Sequence, residues 1–366
     1  MNWKHALKGM TPYKPGRSIE EVIRLYGLKE VVKLASNENP YGCSPAVKEF
    51  IETDAIQYEI YPDGYASALR SKLAAKHDVS EDTLLFGNGS DEIIMVISRA
   101  LLGKGTNTIM ATTTFPQYAH NAKIEGAEIR QIPLRDGQHD LEGFVRAIDD
   151  ETSVIWVCNP NNPTGNLLPS DTLQAFLERV PEHILVVLDE AYFEYITADA
   201  HTDSVTWLEK FPNIIILRTF SKAYGLASFR VGYAIAQPEI IANLNKVRNP
   251  FNNNSIGLAV AEKALADQAF IHQCRQVNHE QRDRFKQYAT EKKLHMFDSE
   301  TNFVLLAVPG DADLAAEQLL QQGFIIRSGN ALGTPGYVRV TIGTEQQNSD
   351  FFAALDTLLV VEGSAK

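Results

Sequence analysis

Short apolar runs recur through the middle of the chain at Asn107–Ala111, Val154–Cys158, Ile184–Leu188, Asn213–Leu217 and Val231–Ala236. They are rich in Val and Ile and lack the polar alternation of a strand with one wet face. Strands apolar on both faces are covered on both sides, which predicts an α/β fold: a mostly parallel sheet between layers of helices. Ser170–Arg179, between two of these runs, predicts a helix with Ser170 or Asp171 as N-cap. The first forty or so residues are different. Pro and Gly punctuate them, as in Thr11-Pro12-Tyr13-Lys14-Pro15-Gly16 and Ser36-Asn37-Glu38-Asn39-Pro40-Tyr41-Gly42, and such a stretch predicts an arm or loop. After about Asn252 the chain turns helix-rich over Ser255–Glu291. Strand candidates Asn302–Ala307 and Tyr337–Ile342 then follow around a helix from Asp313 to Gln322. This part predicts a second, smaller α+β domain. The expected division is an arm with part of the small domain over 1–43, a large domain over 44–250 and a small domain over 251–366, hinged near Pro250.

Length and charge narrow the function. A chain of 366 residues can bury a sizeable core in two domains or one large one. Its 34 Lys and Arg against 46 Asp and Glu give a formal charge of −12, which repels phosphodiester backbones and anionic lipid. No basic run offers a local exception. Ile184–Leu188 and Ile214–Leu217 are too short to span a bilayer, and Met1-Asn2-Trp3-Lys4-His5 leads into no apolar signal core. Cys43, Cys158 and Cys274 are odd in number and match no metal pattern, and Cys158 lies inside a strand as core. The expectation is a reduced, cytoplasmic, soluble protein that binds neither nucleic acid nor membrane and holds no metal.

Chemistry gathers where the apolar runs end. Val154–Cys158 leads into Asn159-Pro160-Asn161-Asn162-Pro163-Thr164-Gly165, and Ile184–Leu188 into Asp189-Glu190-Ala191-Tyr192. Ile214–Leu217 leads into Arg218-Thr219-Phe220-Ser221-Lys222, with Arg230 downstream. Ligands of open α/β sheets sit beyond these carboxyl ends. Upstream, Gly87-Asn88-Gly89-Ser90-Asp91-Glu92 precedes an apolar helical run, a helix start suited to a phosphate. Taken singly, each group has a plain structural alternative. The Asn-Pro run is a turn, Gly87–Glu92 a capped loop, Lys222 and Arg339 solvated charges, Phe115 and Tyr118 core aromatics. Asp189 is harder to dismiss, because a carboxylate ending the most apolar run is buried and needs a partner.

Together the groups meet the demands of pyridoxal phosphate. Its aldehyde needs a Lys amine, and its pyridine nitrogen an anion that keeps it protonated. Its phenolic oxygen needs donors such as Asn162 and Tyr192, its phosphate needs a helix N-terminus, hydroxyls and an Arg, and its ring face an aromatic such as Phe115.

The ordered set NPNNPTG, DEAY, TFSKAYGLASFR and YVRVTIGT resembles the fold-type-I aminotransferases. SNENPYG, IYPDGY at Ile60–Tyr65 and IIRSG at Ile325–Gly329 extend the likeness over nearly the whole chain to the branch of that family acting on histidinol phosphate. Thr113 departs from it, standing where relatives commonly carry Pro. The resemblance implies that Lys222 forms the Schiff base with pyridoxal 5'-phosphate and shuttles the proton, that Asp189 pairs with the pyridinium, and that Asn162 and Tyr192 hold the phenolic oxygen. Ser90, Asp91, Thr219, Ser221 and Arg230 surround the phosphate, which Tyr61 reaches from the partner of a homodimer. Arg339 clamps the carboxylate of the glutamate/2-oxoglutarate pair, while Arg327 and Tyr13 meet the phosphate of histidinol phosphate. An aromatic-amino-acid aminotransferase and a threonine-phosphate decarboxylase stand as alternatives. A regulator built on the same fold is disfavoured by the missing helix-turn-helix segment and the net charge.

Overall fold

The computed structural model describes residues 1–12, 16–53, 56–199 and 201–363. The strands are β1 (Val32–Lys33), β2 (Leu84–Asn88), β3 (Asn107–Ala111), β4 (Glu128–Ile132), β5 (Thr152–Cys158), β6 (Leu185–Asp189), β7 (Ile214–Thr219), β8 (Val231–Ala236), β9 (Phe303–Ala307), β10 (Phe324–Ile325), β11 (Arg327–Ser328) and β12 (Tyr337–Thr341). Strands β2 to β8 form one seven-stranded sheet in the order β2-β8-β7-β6-β5-β3-β4. Only β8 runs against its neighbours.

The unbroken apolar runs are explained by two cores, one on each face of this sheet. Ile155, Val157, Val186, Leu188, Ile214 and Ile216 pack to one side. Val154, Trp156, Leu185, Val187, Ile215 and Leu217 pack to the other. Each such side chain removed from water contributes about 1.5–3 kcal/mol, so the centre of the sheet is strongly anchored on both faces. What β5, β6 and β7 carry at their carboxyl ends is therefore held firmly.

The remaining strands build a three-stranded antiparallel sheet, β11-β12-β9, and the two-stranded pair β1-β10. Helices Gln268–Lys292, Ala312–Gln321 and Glu345–Gly363 accompany them, around a core that includes Phe285, Val304, Leu306, Val340 and Phe351. Leu34 joins that core, and Val32 pairs in parallel with Phe324.

Several local expectations need correction. The opening segment is more than an arm: Ile19–Tyr26 is a helix whose start is capped by Ser18, accepting from the Glu21 N–H, and whose Val22 is fully buried. Its Pro and Gly punctuation hid a short amphipathic element. Neither Ser170 nor Asp171 caps the helix Ser170–Leu177; Pro169 occupies that position, and the Ser170 hydroxyl accepts from the Thr202 N–H instead. The helix-rich stretch expected over Ser255–Glu291 is present, as two helices, Ser255–Ala266 and Gln268–Lys292, parted at Asp267, whose carboxylate caps the second.

Candidate active site

The strand order reverses between β3 and β5, since β3 leads outward to β4 and β5 the other way to β6, β7 and β8. Ligand sites of open sheets lie outside the carboxyl ends at such a reversal. A cleft of about 680 Å³ opens there, lined by Phe115 from the loop after β3 and Asn162 from the loop after β5. The second loop is tied to the first. Asn161 accepts from Thr114 Oγ1 at 2.8 Å and donates to the Thr113 carbonyl at 3.1 Å and to Thr164 Oγ1 at 2.9 Å.

Lys222 follows β7 and reaches the cleft, where its Nζ donates to the Ser36 carbonyl at 3.3 Å. Burial first, then the nearby Arg339 charge, hold this amine below its ordinary range, at about 8. The lysine loop is locked against the N-terminal segment at Gly225. With φ +70, that residue stands where a Cβ would lie 1.9 Å from the Gly42 carbonyl oxygen.

One end of the cleft is built for an anion. Ser90 and Asp91 open the helix Ser90–Leu101, whose start has no side-chain cap, so its first N–H groups face the cleft region unclaimed by a capping residue. The Arg230 guanidinium lies beside them, donating to Ser221 Oγ at 3.3 Å and 3.7 Å from the Asp91 carboxylate. Gly89 permits this approach: at φ +77, its Cβ would fall 2.3 Å from Arg230 Nη2. Thr219 lines the same end and its hydroxyl accepts from the Ser221 N–H at 3.1 Å.

The floor carries the buried carboxylate. Asp189 ends β6 beside Cys158 of β5 and is 3% exposed. Burial pushes its carboxyl up to about 6, opposed by the Tyr118 hydroxyl, donating at 2.6 Å, and by the Ala191 N–H. No ion-pair partner for it occurs among the described residues. Tyr118 is itself fully buried, stacked on Trp156 with centroids 4.7 Å apart. Cys158 also lines the cleft, but burial pushes its thiol up to about 12, which leaves it protonated.

Asn162, Tyr192 and Arg339 form a chain of contacts on the opposite side. Arg339 Nη1 donates to Asn162 Oδ1 at 2.7 Å, and Asn162 Nδ2 to the Tyr192 hydroxyl at 3.3 Å. Arg339 also donates to the Ala35 carbonyl and lies over the Phe303 ring. Arg327, on β11, faces Arg339 across the antiparallel pair and lines the same cleft.

Thus Ser90, Asp91, Phe115, Asn162, Asp189, Tyr192, Thr219, Ser221, Lys222, Arg230, Arg327 and Arg339 converge. Tyr61 does not line the cleft; it is 80% exposed and stacked on Phe251 with centroids 5.0 Å apart. Tyr13 lies outside the described residues. Sequence reasoning gave Tyr118 no role. It also passed over Asn37, whose Nδ2 donates to the Tyr192 hydroxyl at 2.9 Å. A ligand with a phosphate at one end, a basic ring nitrogen and a carbonyl that condenses with an amine matches this set of groups.

Fold and site define a fold-type-I aminotransferase, and the chain belongs to the aminotransferase class I and II family, whose sequence profile matches residues 29–355. The histidinol-phosphate aminotransferase of Lysinibacillus sphaericus (strain C3-41) is 55% identical over 363 residues, covering 99% of both chains. That of Geobacillus sp. (strain WCH70) is 52% identical over 359 residues, covering 98% of both. Among solved structures, the histidinol-phosphate aminotransferase from Sinorhizobium meliloti in complex with pyridoxal-5'-phosphate has a TM-score of 0.88 at 29% identity, covering 98% of each chain.

Proposed function

We propose that this aminotransferase moves an amino group between L-histidinol phosphate and 2-oxoglutarate, a step of histidine biosynthesis, with pyridoxal 5'-phosphate as cofactor. The observation that carries the substrate is the pair Arg327 and Arg339, opposite one another on β11 and β12 in one cleft. Like charges placed directly across a sheet repel, and an anionic ligand at the pair would offset that cost. Guanidinium suits the task, because its planar fork matches phosphate and carboxylate through two N–H groups. The relatives above half identity bear the same phosphate-ester substrate in their names. The aromatic and decarboxylase alternatives are not favoured.

The cleft fits the cofactor. Asp189 is a buried carboxylate without an ion-pair partner among the described residues, and a protonated ring nitrogen supplies the missing cation. Ser90, Asp91, Thr219, Ser221 and Arg230 would hold the phosphate, Phe115 would cover the ring, and Asn162 and Tyr192 would hold the phenolic oxygen. Pyridoxal phosphate supplies an electron sink that stabilises negative charge at the substrate's α-carbon.

Lys222 Nζ would bind the cofactor's aldehyde carbon and would hold the α-proton in transit, work suited to an amine that burial lowers to about 8. Asp189 would keep the ring nitrogen protonated. Arg339 grips the carboxylate of glutamate or 2-oxoglutarate, and Arg327, with Tyr13, the phosphate of histidinol phosphate. The same residues serve both halves of the exchange.

The reading extends to assembly. Tyr58, Ile60, Tyr61, Tyr65 and Phe251 are all exposed, an apolar and aromatic surface suited to a second copy of the chain. In such a homodimer Tyr61 would complete the partner's phosphate site. The divisions at 1–43, 44–250 and 251–366 would separate the arm, the cofactor-binding domain and the small domain. No helix among the described residues is long and apolar enough to cross a membrane, and the three cysteines are free, in keeping with a cytoplasmic place. The test is glutamate formation from 2-oxoglutarate with histidinol phosphate as donor. If the cofactor-loaded protein forms none, the reading fails.

A further inference from the structure

Asn37 has no part in the scheme above, yet it is 1% exposed and adopts φ 58, a backbone region that Asn tolerates better than most side chains. Contacts from the small sheet hold it there. Its N–H donates to Thr341 Oγ1 at 2.9 Å, the Thr341 hydroxyl donates to Asn37 Oδ1 at 3.1 Å, and Asn302 Nδ2 donates to its carbonyl at 2.9 Å. A donor on Oδ1 fixes which way the amide faces. Its Nδ2 is thereby turned to the Tyr192 hydroxyl, at 2.9 Å.

Asn162 is fixed by the same logic from the other side. Its Oδ1 accepts from Arg339, so its Nδ2 faces the same hydroxyl, at 3.3 Å. A phenol oxygen has two lone pairs and one proton. Two amide N–H donors occupy the lone pairs of Tyr192, and neither amide presents an acceptor to it. The proton is left pointing away from both, toward the cleft that Tyr192 lines with Lys222. Burial raises the Tyr192 phenol above its ordinary range, so the proton stays on.

We infer that Asn37 is a positioning residue: with Asn162 it saturates the acceptor sites of Tyr192 and aims the Tyr192 O–H at the cofactor's phenolic oxygen. This rests on the proposal that pyridoxal phosphate occupies the cleft. The aim depends on how β12 and the N-terminal segment are seated, because Thr341 orients the amide that orients the phenol.

The test is the pH dependence of the visible absorption of the cofactor-loaded protein, measured for wild type, Asn37→Asp, Asn37→Gly, Tyr192→Phe and Asn37→Asp combined with Tyr192→Phe. Asp keeps the shape but replaces the donor by an acceptor, so the Tyr192 proton turns away from the cofactor. Gly removes the donor and accepts φ 58 without strain. A donor stabilises negative charge on the phenolic oxygen, so its loss raises the midpoint of the absorption change. A charge-assisted hydrogen bond corresponds to a shift of about one to two pH units. Asn37→Asp and Tyr192→Phe should each move the midpoint up by roughly that amount, Asn37→Gly by less, and in the Tyr192→Phe background Asn37→Asp should add only the smaller shift of its own negative charge. The inference is overturned if Asn37→Asp and Asn37→Gly keep the wild-type midpoint while Tyr192→Phe shifts it, or if the shifts of Asn37→Asp and Tyr192→Phe add in full. A wild-type protein that gains no visible absorption with pyridoxal phosphate would instead overturn the reading of the cleft itself. Melting of the cofactor-free variants separates a misfolded Asn37→Asp from a misdirected phenol, with Asn37→Gly carrying the test in the first case.

Discussion

Arg327 and Arg339 are direct partners across the antiparallel pair β11-β12, so their side chains share one face of the sheet, and both line the cleft that contains Lys222. The phosphate of histidinol phosphate would meet Arg327, and the carboxylate of glutamate would meet Arg339. Arg327→Leu should lower kcat/KM for histidinol phosphate by about ten- to a hundredfold, the size of a lost charge-assisted hydrogen bond. Phenylalanine, which brings no phosphate, should be affected little. Kinetics with both donors decide the matter. Equal losses would move Arg327 to the carboxylate end or to the fold.

If Lys222 takes up the cofactor, its amine should set the pH dependence of loading. Condensation with an aldehyde needs the neutral amine, and with its ammonium holding to about pH 8, about a tenth is neutral at pH 7. The rate at which pyridoxal phosphate colours the cofactor-free protein should rise about tenfold between pH 7 and 9 and then level off. Stopped-flow absorbance reads it directly. A rate still climbing in proportion to hydroxide at pH 10 would mean an amine with an ordinary lysine range. Lys222→Ala should give no such colour and no turnover.

Asp189 should act in opposite directions on stability and on activity. In the cofactor-free protein its carboxyl is raised from 3.8 to about 6 by burial. A raised acid contributes stability that is fully present below the unfolded value and is lost as pH rises through the folded one. Asp189→Asn removes that loss, so at pH 7 the cofactor-free variant should be more stable than wild type, by about 3 kcal/mol at most. The gap should close as pH falls through 6 to 4. The same variant should lose most of its turnover, chiefly in kcat, because an amide cannot sustain a charged ring nitrogen. Calorimetry across that pH range, set beside steady-state kinetics, checks both halves.

Much of this site was legible because the sheet's chemistry is written in order. Each of β5, β6 and β7 is a run of buried Val, Ile and Leu that ends abruptly in polar residues, and in a parallel sheet those ends meet. Asn162, Asp189 and Lys222 follow from that rule. Asn37 and Tyr118 did not, for a different reason. Their partners lie far off in sequence, at Thr341 and Asp189, and a hydrogen bond between distant segments leaves no periodicity to read. The helix Ile19–Tyr26 was obscured similarly: the flanking Pro and Gly suggest a loop, and its packing against Ile325 and Leu320 comes from the other end of the chain.

Assembly can be tested by complementation. If Tyr61 acts on the partner's cleft, a Lys222→Ala, Arg230→Ala double variant should be inactive alone and Tyr61→Phe strongly impaired alone. Co-refolded, they should regain part of the activity, since a hybrid holds one cleft with intact Tyr61, Lys222 and Arg230. Sedimentation should show a dimer that Phe251→Asp weakens, because Tyr61 stacks on that ring. A monomer with full turnover in dilute solution would rule out a shared cleft.

The central claim is the match between this cleft and a phosphorylated amino donor. Its most direct test is a single half-reaction series. The cofactor-loaded protein is mixed in turn with histidinol phosphate, phenylalanine, tyrosine and threonine phosphate, and the visible absorption is followed as the amino group passes to the cofactor. The account predicts the fastest conversion with histidinol phosphate, at the lowest half-saturating concentration, and recovery of the original spectrum with release of glutamate on adding 2-oxoglutarate. Conversion by phenylalanine or tyrosine at an equal or greater rate, or carbon dioxide released from threonine phosphate without glutamate formation, would contradict it.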